Sequence, residues 1–462
     1  MNFYTLLTRF CFFICLSIGL QAQTHIWTGN GSDNSWFTAA NWDVGTIPTS
    51  SSDILIANFS MVEINTASAA VNSVELVGNS TLQIENDLVL SNQLIVPSGS
   101  NINWYTGEIS GGGTIENDGE IRMETFDEKK LNNITLNNNG AIYITETNLN
   151  RASNGAIINN NETGLIEIDS VGGWTQLEPG CTLNNAGLIS KVNDGNSFST
   201  FYLIFDINNS GTIHTGLNQT ILMLGGTMTL NNMESGIISG TGIFDITANF
   251  ENSGTFSPGG ANGTGTLEVV NVFSFPPNST LELDIEGPNI GEYDVAAVFG
   301  FPILEGNIVV DLHYEPMIDD EFEVITANNI TSCNLANSLT AVYDGVEYTF
   351  QIECNTTNIT LRVSDSTLGL SNIASEDYEF SIYPNPVTET INISINISEG
   401  FDLTSESISL DIYNILGQKI KTITNFSEEN RSFERGNLIA GMYFLQLTSS
   451  SKILATTKMI VI

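Results

Sequence analysis

The sequence predicts an all-β chain whose bulk is a parallel β-helix, a β-solenoid with coils of about 22 residues. Three observations carry that prediction. The first is composition: 54 Asn and 41 Gly among 462 residues, with charged side chains at only 14%, favour turns and strands over helices. The second is a recurring phrase between residues 115 and 256: an aliphatic, one or two Asn, a Gly, then an aliphatic two positions on. It reads Ile115-Glu116-Asn117-Asp118-Gly119-Glu120-Ile121, then Leu136-Asn137-Asn138-Asn139-Gly140-Ala141-Ile142, with later copies at Gly164, Gly187, Gly211, Gly236 and Gly254. The third is the spacing of those glycines. From Gly119 to Gly254 the intervals average about 22 residues, within the range of solenoid repeats. Such a period, with short alternating strands and no helical period, marks a solenoid. Leucine-rich repeats share the period but need a denser Leu pattern.

One coil supplies the physics. Each coil lays its strands parallel to those of its neighbours, rising ~4.8 Å, and inward Ile, Leu and Val stack on their equivalents. The repeated Gly is expected to supply a positive φ at the turn, and the Asn before it can visit the same region. Equivalent Asn amides are expected to hydrogen-bond from coil to coil, satisfying an inner turn that water cannot reach. Alternation in Val74-Glu75-Leu76 and Thr81-Leu82-Gln83-Ile84 extends the solenoid to residues 61–257, about nine coils and roughly 40 Å of stack. Residues 23–60 hold Trp27, Trp36 and Trp42 and read as an N-terminal cap over the open end, since exposed strand edges need covering. Trp104 and Trp174 fall at nearby phases of the repeat, upstream of Gly119 and Gly187. With Tyr105 they are the candidates for an aromatic platform that stacks on carbohydrate.

The N-terminus reads as a secretory signal over residues 1–22, with Arg9, an apolar run at 10–20 and the small-residue site Leu20-Gln21-Ala22. Cys11 and Cys15 leave with it, so the mature chain keeps Cys181, Cys333 and Cys354. Cys333 and Cys354 flank a hairpin-like stretch and either pair or stay free, while Cys181 reads as a buried free thiol. A formal charge of −39 excludes nucleic-acid binding, because an acidic surface repels a phosphate backbone. No segment is long enough to span a bilayer as a helix.

After Ser257-Pro258-Gly259-Gly260 the phrase changes, and residues 258–363 read as a distal β-rich end with strands at 266–272, 280–285, 294–298, 303–312 and 322–326. The pieces Gly265-Thr266-Leu267-Glu268-Val269, Tyr293-Asp294 with Gly300, and Leu304-Glu305-Gly306-Asn307-Ile308-Val309-Val310-Asp311-Leu312 resemble the end of autotransporter-type and adhesin-type β-helix passengers. A polar linker over 364–376 follows. Residues 377–462 then carry Ile382-Tyr383-Pro384-Asn385-Pro386, Leu410-Asp411-Ile412-Tyr413-Asn414-Ile415-Leu416-Gly417-Gln418-Lys419-Ile420, Leu438-Ile439-Ala440-Gly441-Met442-Tyr443-Phe444-Leu445-Gln446-Leu447 and Lys458-Met459-Ile460-Val461-Ile462. In order, spacing and placement these resemble the type A C-terminal sorting domain of the Bacteroidetes type IX (Por) secretion system. The resemblance implies a small immunoglobulin-like β-sandwich recognised by that machinery, delivery to the cell surface outside the outer membrane, and removal of the domain on arrival. It singles out Tyr383, Pro384, Asn385, Pro386, Gly417, Gly441, Tyr443 and Lys458 as the sorting motif. Charge changes at the same boundary: residues 23–376 have 6 Lys/Arg against 42 Asp/Glu, residues 377–462 have 6 against 10.

Catalytic motifs are missing. There is no HExxH, GxSxG, P-loop or Cys/His zinc spacing, and His25, His214 and His313 stand alone in sequence. Residues 192–361 hold 21 acids and no Lys or Arg, whereas polysaccharide lyases need a basic residue and cations for uronates. Arg122, Lys129, Lys130, Arg151 and Lys191 read as too scattered for a site. Glu282, Asp284 and Glu286 share one strand face ~7 Å apart, a spacing open to glycosidase chemistry but more ordinary as a solvated face. With Asp319, Asp320, Glu321 and Glu323 they are the candidates for calcium, which favours clustered carboxylates; no other cofactor is implied. The expected function is therefore a secreted, non-enzymatic adhesin or matrix protein. A carbohydrate-binding protein and a polysaccharide-degrading enzyme are the alternatives.

Overall fold

The computed structural model describes residues 25–145, 149–169, 171–178, 180–192, 199–217, 219–223, 228–247, 249–260, 263–368, 378–397, 408–415, 417–424, 430–449 and 452–462. The expected signal segment, residues 1–22, lies outside them. Two compact units divide the chain: residues 1–255 with 269–273, and residues 256–268 with 274–462. The fold is all-β, with a solenoid of about ten turns, each of about 23 residues.

In the first unit three short strands make each coil from Asn101 onward, whereas in the two coils before it the second and third run on as one strand, Ala69–Leu76 and Leu88–Val96. Glu120–Met123, Lys129–Asn132 and Thr135–Asn138 pair in parallel with Ala141–Ile144, Leu149–Ser153 and Ile157–Asn160 of the next coil. Register makes the repeat physical. Ile121, Ile142, Ile166, Ile189, Ile213 and Ile238 stack one above another, all buried. On the third strand Ile115, Leu136, Ile158, Leu183, Ile207 and Leu230 do the same. Each coil thus buries its apolar row against its neighbours, the source of stability in a repeat protein.

The expected asparagine ladder is present and continuous. Asn117, Asn138, Asn160, Asn185, Asn209 and Asn232 each donate Nδ2 to Oδ1 of the next, ending at Asn252, at 2.7–2.8 Å. All seven are buried. The second Nδ2 hydrogen of the first five reaches the carbonyl of Ala141, Leu165, Leu188, Thr212 or Ile237. The ladder starts abruptly: Asn117 faces Val96 on the preceding coil, and its buried Oδ1 has no partner.

The role expected of the repeated glycines is corrected. None of Gly119, Gly140, Gly164, Gly187, Gly211, Gly236 and Gly254 has a positive φ; left-handed residues sit at another corner, among them Gly112, Asn133 and Asn154. The repeated glycines are selected by close approach. A Cβ on Gly187 would lie 2.2 Å from the Gly164 carbonyl oxygen, and one on Gly211 2.2 Å from that of Gly187. Backbone hydrogen bonds from Leu188 N to Gly164 O (2.9 Å) and from Thr212 N to Gly187 O (2.8 Å) hold the coils at that distance.

Parallel stacking starts ahead of Met61. Strand Asp53–Ile56 pairs with residues 73–76, and His25–Ile26 pairs with residues 54–55. The three tryptophans of this segment are buried and meet edge to face, Trp42 lying 5.1 Å from Trp27 and 5.0 Å from Trp36 between centroids. Trp42 Nε1 donates to the Trp36 carbonyl.

In the second unit Thr280–Ile285 pairs in parallel with Asn307–Leu312, and Val295–Phe299 with Glu321–Ala327. The single strand expected over 303–312 is broken into Ile303–Leu304 and Asn307–Leu312. Pairing then turns antiparallel through Ser338–Tyr343, Val346–Cys354 and Asn358–Leu368. Residues 364–368 of the expected linker belong to that last strand; the remainder lies outside the described residues. Cys333 and Cys354 form a disulfide, and Cys181 is free and buried.

Residues 378–462 form two antiparallel sheets. One joins Tyr378–Tyr383, Thr390–Ile397 and Asn430–Glu434; the other joins Ile408–Asn414, Lys419–Thr424, Gly441–Ser449 and Lys452–Val461. Both contribute to one core, including Ile391, Ile393, Leu410, Ile412, Leu445, Leu447 and Met459. That is a β-sandwich.

Gly187→Ala is expected to destabilise the solenoid by about 1–3 kcal/mol, the usual effect of overpacking, because the obstructing atom is backbone and cannot turn away. Gly441→Ala is its control, since a Cβ there meets nothing within 4 Å. Thermal melting of the two variants measures the contrast.

Candidate functional site

The aromatic platform does not form. Trp104 and Trp174 are each 2% exposed. Both occupy inward positions of their strands, and Trp174 packs against Phe205 at 6.2 Å. Strand alternation turns Tyr105, the neighbour of Trp104, to partial exposure. One half-exposed ring offers no stacking row.

The carboxylate candidates are dispersed as well. Asp319 faces Arg362 at 3.7 Å, Asp320 accepts from Tyr314 OH and Met317 N, and Glu323 accepts from Asn358 Nδ2. Glu321 is exposed. Glu282, Asp284 and Glu286 alternate outward as expected, with Asp284 the least exposed. Their neighbour across the sheet is not legible in the local spacing. Register sets Asp284 beside Asp311 and Ile285 beside Leu312, bringing His313 onto the same face. His313 Nε2 lies 3.5 Å from both Asp284 Oδ1 and Asp311 Oδ2. Among the described residues these three are the group whose ligand atoms all lie within 4.8 Å of one another. His313 is thus not solitary. Its ring nitrogen sits between two carboxylates that the sheet register brings side by side.

Alongside Asp284, its backbone N donating to the Asp284 carbonyl, sits Asp294, 1% exposed. Its carboxylate accepts from Gly265 N at 2.7 Å and Asp284 N at 2.9 Å. Burial nevertheless pushes its pKa up to about 7, with Asp284 and Glu286 adding to the rise against those two donors.

The solenoid cations are less scattered than their sequence positions imply. Lys130 and Arg151 are register partners on adjacent coils and share Glu128, at 3.1 and 3.0 Å. Burial acts to raise the Glu128 pKa, but these two partners hold it below the usual carboxylate value. Beside them lies an open cavity of about 340 Å³ lined by Asp87, Thr106, Gly107, Glu108, Glu128 and Lys130. Lys129 is buried, its Nζ donating to the Thr125 and Asp127 carbonyls at 2.7 and 2.8 Å, and burial lowers its pKa to about 8. The signal that could pair Lys130 with Arg151 is their sequence separation, which matches one coil.

The last domain builds its motif from backbone mimicry. Pro384 and Pro386 cannot donate to a ladder. The side chain between them substitutes: Asn385 Nδ2 donates to Lys458 O at 2.9 Å and its Oδ1 accepts from Ile460 N at 2.8 Å. The chain then pairs directly, Val387 N with Ile460 O and Ile462 N with Val387 O. Arg435 completes the closure, donating to the Leu438, Thr388 and Ile462 carbonyls. Gly417 takes the left-handed turn at φ 71°, and Tyr443 is buried with its hydroxyl on Ile439 O. Tyr383 and Lys458 are exposed. Motif residues are therefore of two kinds, those that close the sandwich and those that face outward.

The family described as secretion system C-terminal sorting domain matches residues 381–462. A comparison with curated proteins found no match. Among the described residues no helix is long and apolar enough to cross a membrane.

Two outcomes follow from this geometry. Asn385→Ala is expected to remove two bonds to the final strand and destabilise the sandwich by about 1–3 kcal/mol, read as a lower melting transition of the full chain. Asp294 binds its proton more tightly folded than unfolded, so its contribution to stability is full below about pH 4 and is lost as pH rises through about 7. Asp294→Asn should flatten the fall in stability between those values, measured by urea unfolding across the range.

Proposed function

We propose that this type IX secretion cargo is a non-enzymatic surface protein whose β-solenoid serves adhesion or spacing. Its sorting domain marks it for export to the cell surface or beyond and implies contact with the secretion machinery. What supports the non-enzymatic reading is the state of the solenoid's outward charges. Glu128 is taken up by Lys130 and Arg151, and Arg122 by Glu120 and Glu124, with its guanidinium over Tyr143 at 5.1 Å. These charged groups are engaged with one another, and the Glu128–Arg151 and Arg122–Tyr143 contacts also join neighbouring coils.

Purified full chain, incubated with a panel of neutral and acidic polysaccharides, is expected to release neither reducing ends nor unsaturated products. Product formation abolished by Glu128→Gln would instead establish an enzyme. A strain lacking the protein is expected to adhere less to surfaces or to neighbouring cells. Deleting residues 377–462 should leave the solenoid folded, because its contacts run between neighbouring coils, but hold it in the periplasm. Cell fractionation with an antibody to the solenoid distinguishes that outcome from wild-type surface levels.

A further inference from the structure

The solenoid carries a second asparagine ladder, on the outside of the same strands that hold the buried one. Asn208 donates to Asn184, Asn184 to Asn159, Asn159 to Asn137 and Asn137 to Glu116, at 2.8–2.9 Å. Its direction is opposite to that of the inner ladder. Burial explains the inner row: each amide there replaces water. It does not explain the outer row, whose members are half-exposed. Asn is depleted in strands, and many polar residues would serve at a wetted position, yet five successive coils carry it, at Asn137, Asn159, Asn184, Asn208 and Asn231.

The two rows differ in what they leave over. Inner amides from Asn117 to Asn209 use both Nδ2 hydrogens. Each outer amide from Asn137 to Asn208 makes one bond to the preceding coil, and those from Asn137 to Asn184 receive one from the next. A side-chain amide has two donors and two lone pairs, so one N–H and at least one lone pair per coil face solvent. They recur every ~4.8 Å. Thr135, Thr182 and Thr229 add hydroxyls two positions upstream on the same face. Of the ten outward positions at 135, 137, 157, 159, 182, 184, 206, 208, 229 and 231, Asp206 alone is charged. Alongside runs a groove of about 180 Å³ whose lining includes Asn159, Asn161, Asn184, Asn208, Ser210 and Met233.

We propose that this row of outward amides and hydroxyls is a binding face for an uncharged, extended polysaccharide lying across successive coils. A sugar hydroxyl both donates and accepts, the complement of an amide with one of each to spare. Regular recurrence fits a polymer whose monomers advance by about one strand spacing, and many weak contacts in series add by effective concentration. The net −36 of residues 23–376 disfavours acidic polymers, which selects neutral ones. This inference rests on the adhesive reading of the solenoid and names its ligand class.

The test is retention of the purified full chain on microcrystalline cellulose, chitin and insoluble β-1,3-glucan particles, with alginate beads as the acidic control. Wild type should be retained on at least one neutral particle and not on alginate. Replacing Asn137, Asn159, Asn184 and Asn208 together by Thr suits the strand while removing the amides, and should lower retention at least tenfold with circular dichroism unchanged. Thr182→Glu with Thr229→Glu keeps the ladder and should lower it comparably, which guards against a fold defect in the fourfold variant. Wild type retained on no neutral particle, or both variants retained like wild type, overturns the proposal. Cell adhesion that persists in either case leaves the adhesive reading standing with a different ligand.

Discussion

The spacing between coils is the constraint on which the rest of the solenoid depends. Backbone hydrogen bonds such as Thr212 N to Gly187 O pull adjacent turns to strand distance at a corner where the chain folds back on itself. At that distance no side-chain carbon fits, so the position is Gly; the polar groups trapped beside it need a partner, so the neighbouring inward position is Asn. Glycine and asparagine are answers to one geometric demand. The apolar columns of Ile and Leu then follow from having the same residue type at the same height in every turn.

Legibility in the sequence tracks periodicity. Solenoid, ladder and terminal sandwich are readable because a fixed spacing or an ordered motif carries them. What escapes is whatever depends on direction or exact height. The phase of Trp104 and Trp174 in the repeat is plain, but phase alone does not say whether a ring points in or out. The glycines are conspicuous for a reason that local sequence hides: it suggests φ, whereas the obstruction comes from a residue one coil away. Asp284 and Asp311 stand beyond the repeat, so no period aligns them with His313. Lys130 and Arg151 differ by one coil, and applying the period to cations as well as glycines pairs them.

The terminal sandwich solves a different problem with related means. Its first and last segments must be joined although two prolines interrupt the strand that should do it. Asn385 supplies through its side chain the donor and acceptor that the backbone lacks, and Arg435 gathers three carbonyls including that of Ile462. In both parts of the protein a side chain stands in for a main chain. The consequence for the sandwich is that its fold is closed only when the final strand is in place.

The coil has one rigid corner and two elastic ones. Between the third and first strands the connection is two or four residues throughout, as at 118–119, 139–140 and 161–164. Where the connection is wholly described, between the first and second it runs from two residues at 241–242 to five at 124–128, and between the second and third from none within Leu88–Val96 to three at 111–113. Because the ladder lies against the rigid corner, insertions at the elastic ones leave the spine untouched. Duplication of a whole turn is tolerated for the same reason, since each turn offers its successor the surface it received from its predecessor. Such a chain can lengthen or acquire new loops by drift without renegotiating its core, and its lineage is expected to vary in turn number and in loops along those two edges.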